Sequence, residues 1–265
     1  MAVATLPSPT PPETEEPDED QHDGGKMSFL EHLDELRKRI LVAVVSLAAG
    51  FLIAYYFIDQ IQRFIMQPLQ AVLPPGGTMI YTEPTEGFML QLKMAALAGA
   101  MLAFPILLWE IWQFVAPGLY AHEKKIAIPF VAFSTFFFAL GALFSHFVVF
   151  PWAWLFFASF GTDYMQFTPK IQSAFTMYWK MALAMGAIFE LPTVVMFLAR
   201  IGLVTPSLMW QNFKYAILMS FIIAAVLTPP DVVSQTLMAI PTIGLYLFSI
   251  GVAWAFQKRP NNKNT

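Results

Sequence analysis

Apolar positions along the chain gather into six runs, at about 41–57, 88–115, 126–150, 174–198, 213–227 and 236–256, separated by short polar segments. A helix needs about 20 apolar residues to cross a hydrocarbon core of ~30 Å. The pattern therefore predicts an all-α polytopic membrane protein with six transmembrane helices. The fifth run, Phe213 to Leu227, has 15 residues. At the usual rise it reaches only ~22 Å. The sixth contains Pro241, so the last two helices are expected to be short, either through local thinning of the bilayer or as incomplete spans.

The segments between the runs carry their own periodicity. Phe29, Leu30, Leu33, Leu36 and Ile40 recur at three- and four-residue steps, which predicts an N-terminal interfacial amphipathic helix running into the first span. Ser28 and Glu31 have the spacing of a capping box. Ile61, Phe64, Ile65 and Leu69 predict a second short interfacial helix ending at Pro68, and the PPGG at 74–77 predicts a turn. Residues 158–173 and 200–212 read as loops. In the second run, Pro105 interrupts the helix and Trp109 and Trp112 form an interfacial belt.

Composition supports this picture. Apolar residues make up 57% of the chain and charged residues 12%, against about 25% charged in soluble domains. Such a surface needs lipid to cover part of it. There are no cysteines, which excludes disulfides, thiol catalysis and zinc–thiolate sites. His22, His32, His122 and His146 show no HExxH-like pairing, so no metal site and no cofactor are expected.

Charge adds an orientation. Residues 1–25 hold seven acidic residues and no Lys or Arg, and are rich in Pro. The stretch 1–26 is expected to be a disordered acidic tail. It lacks the basic and then apolar order of a secretion signal and the acid-poor composition of a transit peptide. Residues 27–256 form the membrane domain, and 257–265 a polar C-terminal tail. With the N-terminus inside, the inner segments hold Lys26, Arg37, Lys38, Arg39, Lys124, Lys125, Arg200, Lys214, Lys258, Arg259 and Lys263, and the outer side holds Arg63, Lys93, Lys170 and Lys180. The excess of basic residues inside predicts both termini in the cytoplasm.

Three constellations stand out chemically. Glu190 lies in the middle of an apolar run, where an ionised carboxylate is costly. It is either a polar contact or proton-sensitive group, or a packing carboxyl bonded to a neighbouring helix or to backbone freed by Pro192. Glu35 and Glu123 sit at predicted cytoplasmic helix ends, each followed by basic residues. They either pair with those neighbours on a wet surface or bind a cationic peptide, with arginine the best match to a carboxylate. Asp231 is placed to cap the sixth helix, and Gln235 to contact a partner helix. Glu110 reads as interfacial, and His146 as a packing residue.

Five segments, in order, resemble TatC, the multi-span subunit of the twin-arginine protein translocase. They are SFLEHLDELRKRI at 28–40, FVAPGLYAHEKK at 114–125, FVVFP at 147–151, FELP at 189–192 and LTPPDVVSQTLMAIP at 227–241. The resemblance spans residues 27 to 256. It implies a receptor for twin-arginine signal peptides that works with the single-span TatA and TatB proteins, associates with further copies of itself, and exports folded proteins on the proton-motive force. It implies no enzymatic activity and no nucleic acid partner. Matched residue by residue, it implies a signal-peptide site of Glu35 and Glu123 with Arg37, Phe114, Pro117, Leu119 and Tyr120. It also implies an intramembrane polar role for Glu190 and a partner-helix contact at Asp231 and Gln235. The implied location is a bacterial cytoplasmic membrane, or a thylakoid membrane in a photosynthetic source. The chain departs from the family pattern at His146, where an aromatic such as Tyr is expected, and in its long acidic tail.

Rival readings fare worse on the residues. A solute transporter usually shows repeated halves and several intramembrane charges, and no repeat is visible. An intramembrane serine protease needs a positioned Ser and base, but Ser145 and His146 are adjacent and point apart. A purely structural scaffold is separated from a receptor by a signal-peptide binding test.

Overall fold

The computed structural model describes residues 29–73, 77–115, 127–162 and 164–257. The acidic tail, the Ser28 cap, most of the PPGG turn, the 116–126 segment and the C-terminal tail lie outside these residues.

The described chain is helical throughout, with isolated β-bridges in place of a sheet. In order, the helices are α1 (Phe29–Tyr56), α2 (Ile58–Gln70), α3 (Glu86–Val115), α4 (Ala127–Phe144), a π-helical turn (Ser145–Val149), α5 (Phe150–Ala158), α6 (Ile171–Phe189), α7 (Leu191–Ile201), α8 (Pro206–Gln211), α9 (Phe213–Leu227) and α10 (Val232–Phe256). Among the described residues, five rods are long and apolar enough to cross a membrane: His32–Tyr56, Glu86–Phe114, Ile128–Ala158, Ile171–Ile201 and Val232–Phe256. Helix α9 is a shorter apolar helix of 15 residues, as the fifth run predicts.

The N-terminal amphipathic segment does run into the first span as its pattern predicts, the two forming one unbroken helix, α1. Several other boundaries differ from the sequence reading, each for a physical reason. Helix α2 continues through Pro68 to Gln70, with Pro68 buried near its end. A proline removes one backbone donor, and apolar burial of Ile65, Met66 and Leu69 holds the turn in place. The sixth helix is not short. Helix α10 has 25 residues and carries Pro241 inside it. Within the predicted loops, α6 begins at Ile171 and α8 forms a short helix at Pro206–Gln211.

Two joints interrupt the rods. The π-helical turn between α4 and α5 points Ser145 and His146 into the interior. Such single-turn π segments insert one extra residue into a helix. The second joint is Glu190, which ends α6 just before Pro192 opens α7.

Packing relies on small residues. Helices α1 and α3 run antiparallel and touch backbone to backbone where Gly50 meets Gly99. A Cβ added at Gly99 would lie 2.5 Å from the Phe51 amide nitrogen. Helices α4 and α6 cross at Gly141 and Gly186, against Phe189 and Phe138. Small residues of this kind let helix backbones approach in lipid, where apolar burial gives helices little drive to associate. The main core is formed by α2, α3, α5, α6, α9 and α10 around Met94, Phe150, Met181, Met185 and Met238. Most of α1 faces outward, with Leu41, Val45 and Leu52 exposed, as lipid contact requires.

Candidate functional site

The antiparallel α1–α3 pair brings the start of α1 to the end of α3. Glu35 and Arg39 are one turn apart on α1 and so share a face. Arg39 Nη2 donates to Glu35 Oε1 at 3.1 Å, and its Nη1 donates to Glu110 Oε2 at 3.1 Å. Glu110, on α3, is only 8% exposed. One turn further along each helix, His32 stacks on Phe114, with ring centroids 4.4 Å apart. Glu35 Oε2 and Arg39 Nε are buried without a hydrogen-bond partner among the described residues. The result is a part-buried cluster of two carboxylates and one guanidinium, walled by an aromatic pair.

Of the sequence-predicted residues, Glu35 and Phe114 lie in this cluster. Arg37 is exposed on another side of α1. Glu123, Pro117, Leu119 and Tyr120 lie outside the described residues. The sequence reading placed Glu110 at the interface and overlooked its bond to Arg39. A signal for it was present, since Glu110 and Phe114 are four residues apart on one helix face, as are Glu35 and Arg39.

Glu190 sits at the α6–α7 joint. Its carbonyl accepts from the Val194 amide at 2.9 Å, but its carboxylate oxygen Oε1 is buried with no partner among the described residues. The hydroxyls of Ser134 and Thr193 are likewise buried and unpartnered. Among the described residues, Oε1 thus makes no bond to backbone freed by Pro192.

At the opposite end of the bundle, Asp231 caps α10, accepting from the Ser234 amide at 2.7 Å. Gln235 follows one turn later, half-buried. His146 is buried, stacked on Phe64 at 4.1 Å, with its Nδ1 3.1 Å from the Tyr178 hydroxyl. Near this end the segment before α3 is tied to the segment before α6. The Ile171 amide donates to Ile80 O at 2.9 Å, the Ile80 amide donates to Pro169 O at 3.2 Å, and Lys170 Nζ pairs with Glu86 Oε1 at 2.9 Å. This latch was not anticipated from the sequence. Its hydrogen bond to Glu86 holds the Lys170 ammonium above its usual value, against the opposing effect of burial.

Comparisons with known proteins agree with this architecture. The family model described as Sec-independent protein translocase protein (TatC) matches residues 31–241. A relative of that name from Desulforapulum autotrophicum is 44% identical over 237 residues, covering 89% of this chain and 88% of the relative. One from Helicobacter pylori is 41% identical over 234 residues, covering 88% of this chain and 92% of the relative. A crystal structure of the twin arginine translocase receptor TatC superposes with a TM-score of 0.74 at 33% identity, covering 85% of this chain and 99% of that one. With its apolar rods, the chain is a membrane protein, and it belongs to the TatC family of Sec-independent protein translocase components.

Proposed function

We propose that this chain is the signal-peptide receptor and core membrane component of the twin-arginine translocase, binding the paired arginines of a precursor with Glu35 and Glu123. The observation that carries this reading is Glu35 itself, a half-buried carboxylate whose Oε2 has no partner among the described residues, beside Phe114 where α1 and α3 meet. Lipid and aromatic neighbours lower the local dielectric there, so a guanidinium–carboxylate contact is stronger than in bulk water. Pro117, Leu119 and Tyr120 belong to the same site, and Arg37, exposed on another side of α1, lies outside the Glu35 cluster and belongs to the surrounding surface. The charge distribution supports an arrangement of six spans with both termini in the cytoplasm, so that this end of the bundle meets the precursor before export. Single-span TatA and TatB proteins are the partners, with Asp231 and Gln235 contacting a partner helix and Glu190 as an intramembrane polar contact. The complex contains further copies of the chain and moves folded proteins across a bacterial cytoplasmic membrane on the proton-motive force. There is no catalytic step on the protein itself.

The test is fluorescence binding of a twin-arginine signal peptide to the purified chain in detergent. Glu35→Ala and Glu123→Ala each weaken binding by about tenfold or more, since losing one partner of a desolvated charge pair typically costs about 2–5 kcal/mol. A twin-lysine peptide binds the wild type poorly, because lysine lacks the two-pronged fork. Unchanged affinity for both variants would sink the receptor site.

A further inference from the structure

We propose that Glu110 is a positioning residue of the receptor site: by holding one arm of Arg39, it keeps that arginine from claiming the second oxygen of Glu35, which an incoming guanidinium then takes. The inference rests on the reading of Glu35 as the peptide's acceptor.

Arg39 is four residues after Glu35 on the same helix, where the two side chains meet in any helical context. A guanidinium beside a single carboxylate tends to close on both oxygens as a fork. Here the fork is split. Nη2 donates to Glu35 Oε1, while Nη1 turns to Glu110 Oε2, each at 3.1 Å. Glu110 reaches this position because α3 returns antiparallel along α1 and ends beside its first turns. The split leaves Glu35 Oε2 buried without a partner among the described residues. Leaving a buried carboxylate oxygen without a donor is costly, and a bound ligand removes that cost. Charge points the same way. The cluster of Glu35, Arg39 and Glu110 holds two carboxylates to one guanidinium, so a second guanidinium would neutralise it. Arg39 is thus a resident competitor for the carboxylate the peptide uses, and Glu110 draws it partly aside.

The experiment measures affinity for the same fluorescent twin-arginine peptide, on the full chain in detergent. Glu110→Ala releases Arg39 to close on both oxygens of Glu35, and affinity falls by about tenfold or more. Glu110→Gln retains an acceptor for Nη1 and stays close to the wild type. Adding Arg39→Gln to Glu110→Ala removes the competitor and returns affinity close to the wild type. Were Glu110 only a structural support, the double variant would bind no better than the single one. That result, or a Glu110→Ala protein that binds as the wild type does, overturns the proposal. If Glu110→Ala loses its thermal transition, Arg39→Gln alone decides. Affinity at or above wild type supports the proposal, and a loss of about tenfold overturns it. Glu35→Ala in the same series keeps the two ideas apart. Undiminished binding there means that the reading of Glu35 has failed, whereas weakened binding there with no effect of Glu110→Ala means that only the role of Glu110 has.

Discussion

Asp231 shows how much one side chain contributes at a helix end. Its carboxylate accepts from the Ser234 amide at 2.7 Å, satisfying one of the orphan donors at the start of α10. Asp231→Ala is expected to lower stability by about 1 kcal/mol, and Asp231→Asn, which also caps, by less. Thermal melting in detergent reads the difference, and equal melting of the two variants counts against the cap. Residues with a local partner were the ones visible in sequence. Asp231 and its amide lie within one turn, and so do Glu35 and Arg39. The bond of Glu110 to Arg39 was overlooked because the partner is 71 positions away; the spacing of Glu110 and Phe114 marks a shared face but does not name what lies across from it. Glu190 was recognisable as an anomaly from its apolar neighbours, but not that its Oε1 is buried without a partner among the described residues, which depends on the helices around it.

Between helices, contact depends on what is missing from the side chain. At the α1–α3 crossing, a methyl at Gly99 would lie 2.5 Å from the Phe51 amide nitrogen. That neighbour is backbone and cannot rotate away. Gly99→Ala is therefore expected to push the helices apart and cost about 1–3 kcal/mol, despite the better helix propensity of alanine. Gly87→Ala, on the same helix with nothing near its added carbon, should melt no lower than the wild type. Equal melting of the two variants would rule out the close approach. Helix existence was well predicted in these elements, since long apolar runs dominate. Helix ends were less so. The N-terminal segment ran into the first span as its pattern reads, whereas α2 ran past Pro68 because its apolar face is buried. The 15-residue α9 came out as its run reads, bounded by a polar segment on one side and TPPD on the other.

For the whole molecule, the end opposite the Glu35 cluster is held by the latch between the segments before α3 and α6. The Glu86–Lys170 pair and the backbone bonds of Ile80 join stretches that no helix connects directly. The folded-state value of Lys170 is raised, so on the alkaline side its contribution is complete below the ordinary lysine range and is lost as pH rises through the raised value. Melting followed against pH should show the wild type losing its advantage over Lys170→Gln on the alkaline side, as Lys170 gives up its proton, and again in acid, where protonated Glu86 no longer pairs with it. A gap that stays constant through both ranges would remove the latch from the stability of the fold.

The amino-acid sequence by itself determined the solvent this protein lives in, its helical class, the approximate extent of its apolar helices and the family resemblance that its relatives bear out. Those properties follow from composition and from periodicity within one or two turns, which the chain carries along its length. Only the tertiary structure decided that Arg39 is shared between Glu35 and Glu110, that Gly50 lies on Gly99, that Glu190 Oε1 is buried without a partner among the described residues and that Lys170 latches to Glu86. Each is a meeting of residues far apart in sequence, brought about by the antiparallel return and packing of helices rather than by the propensity of any one of them.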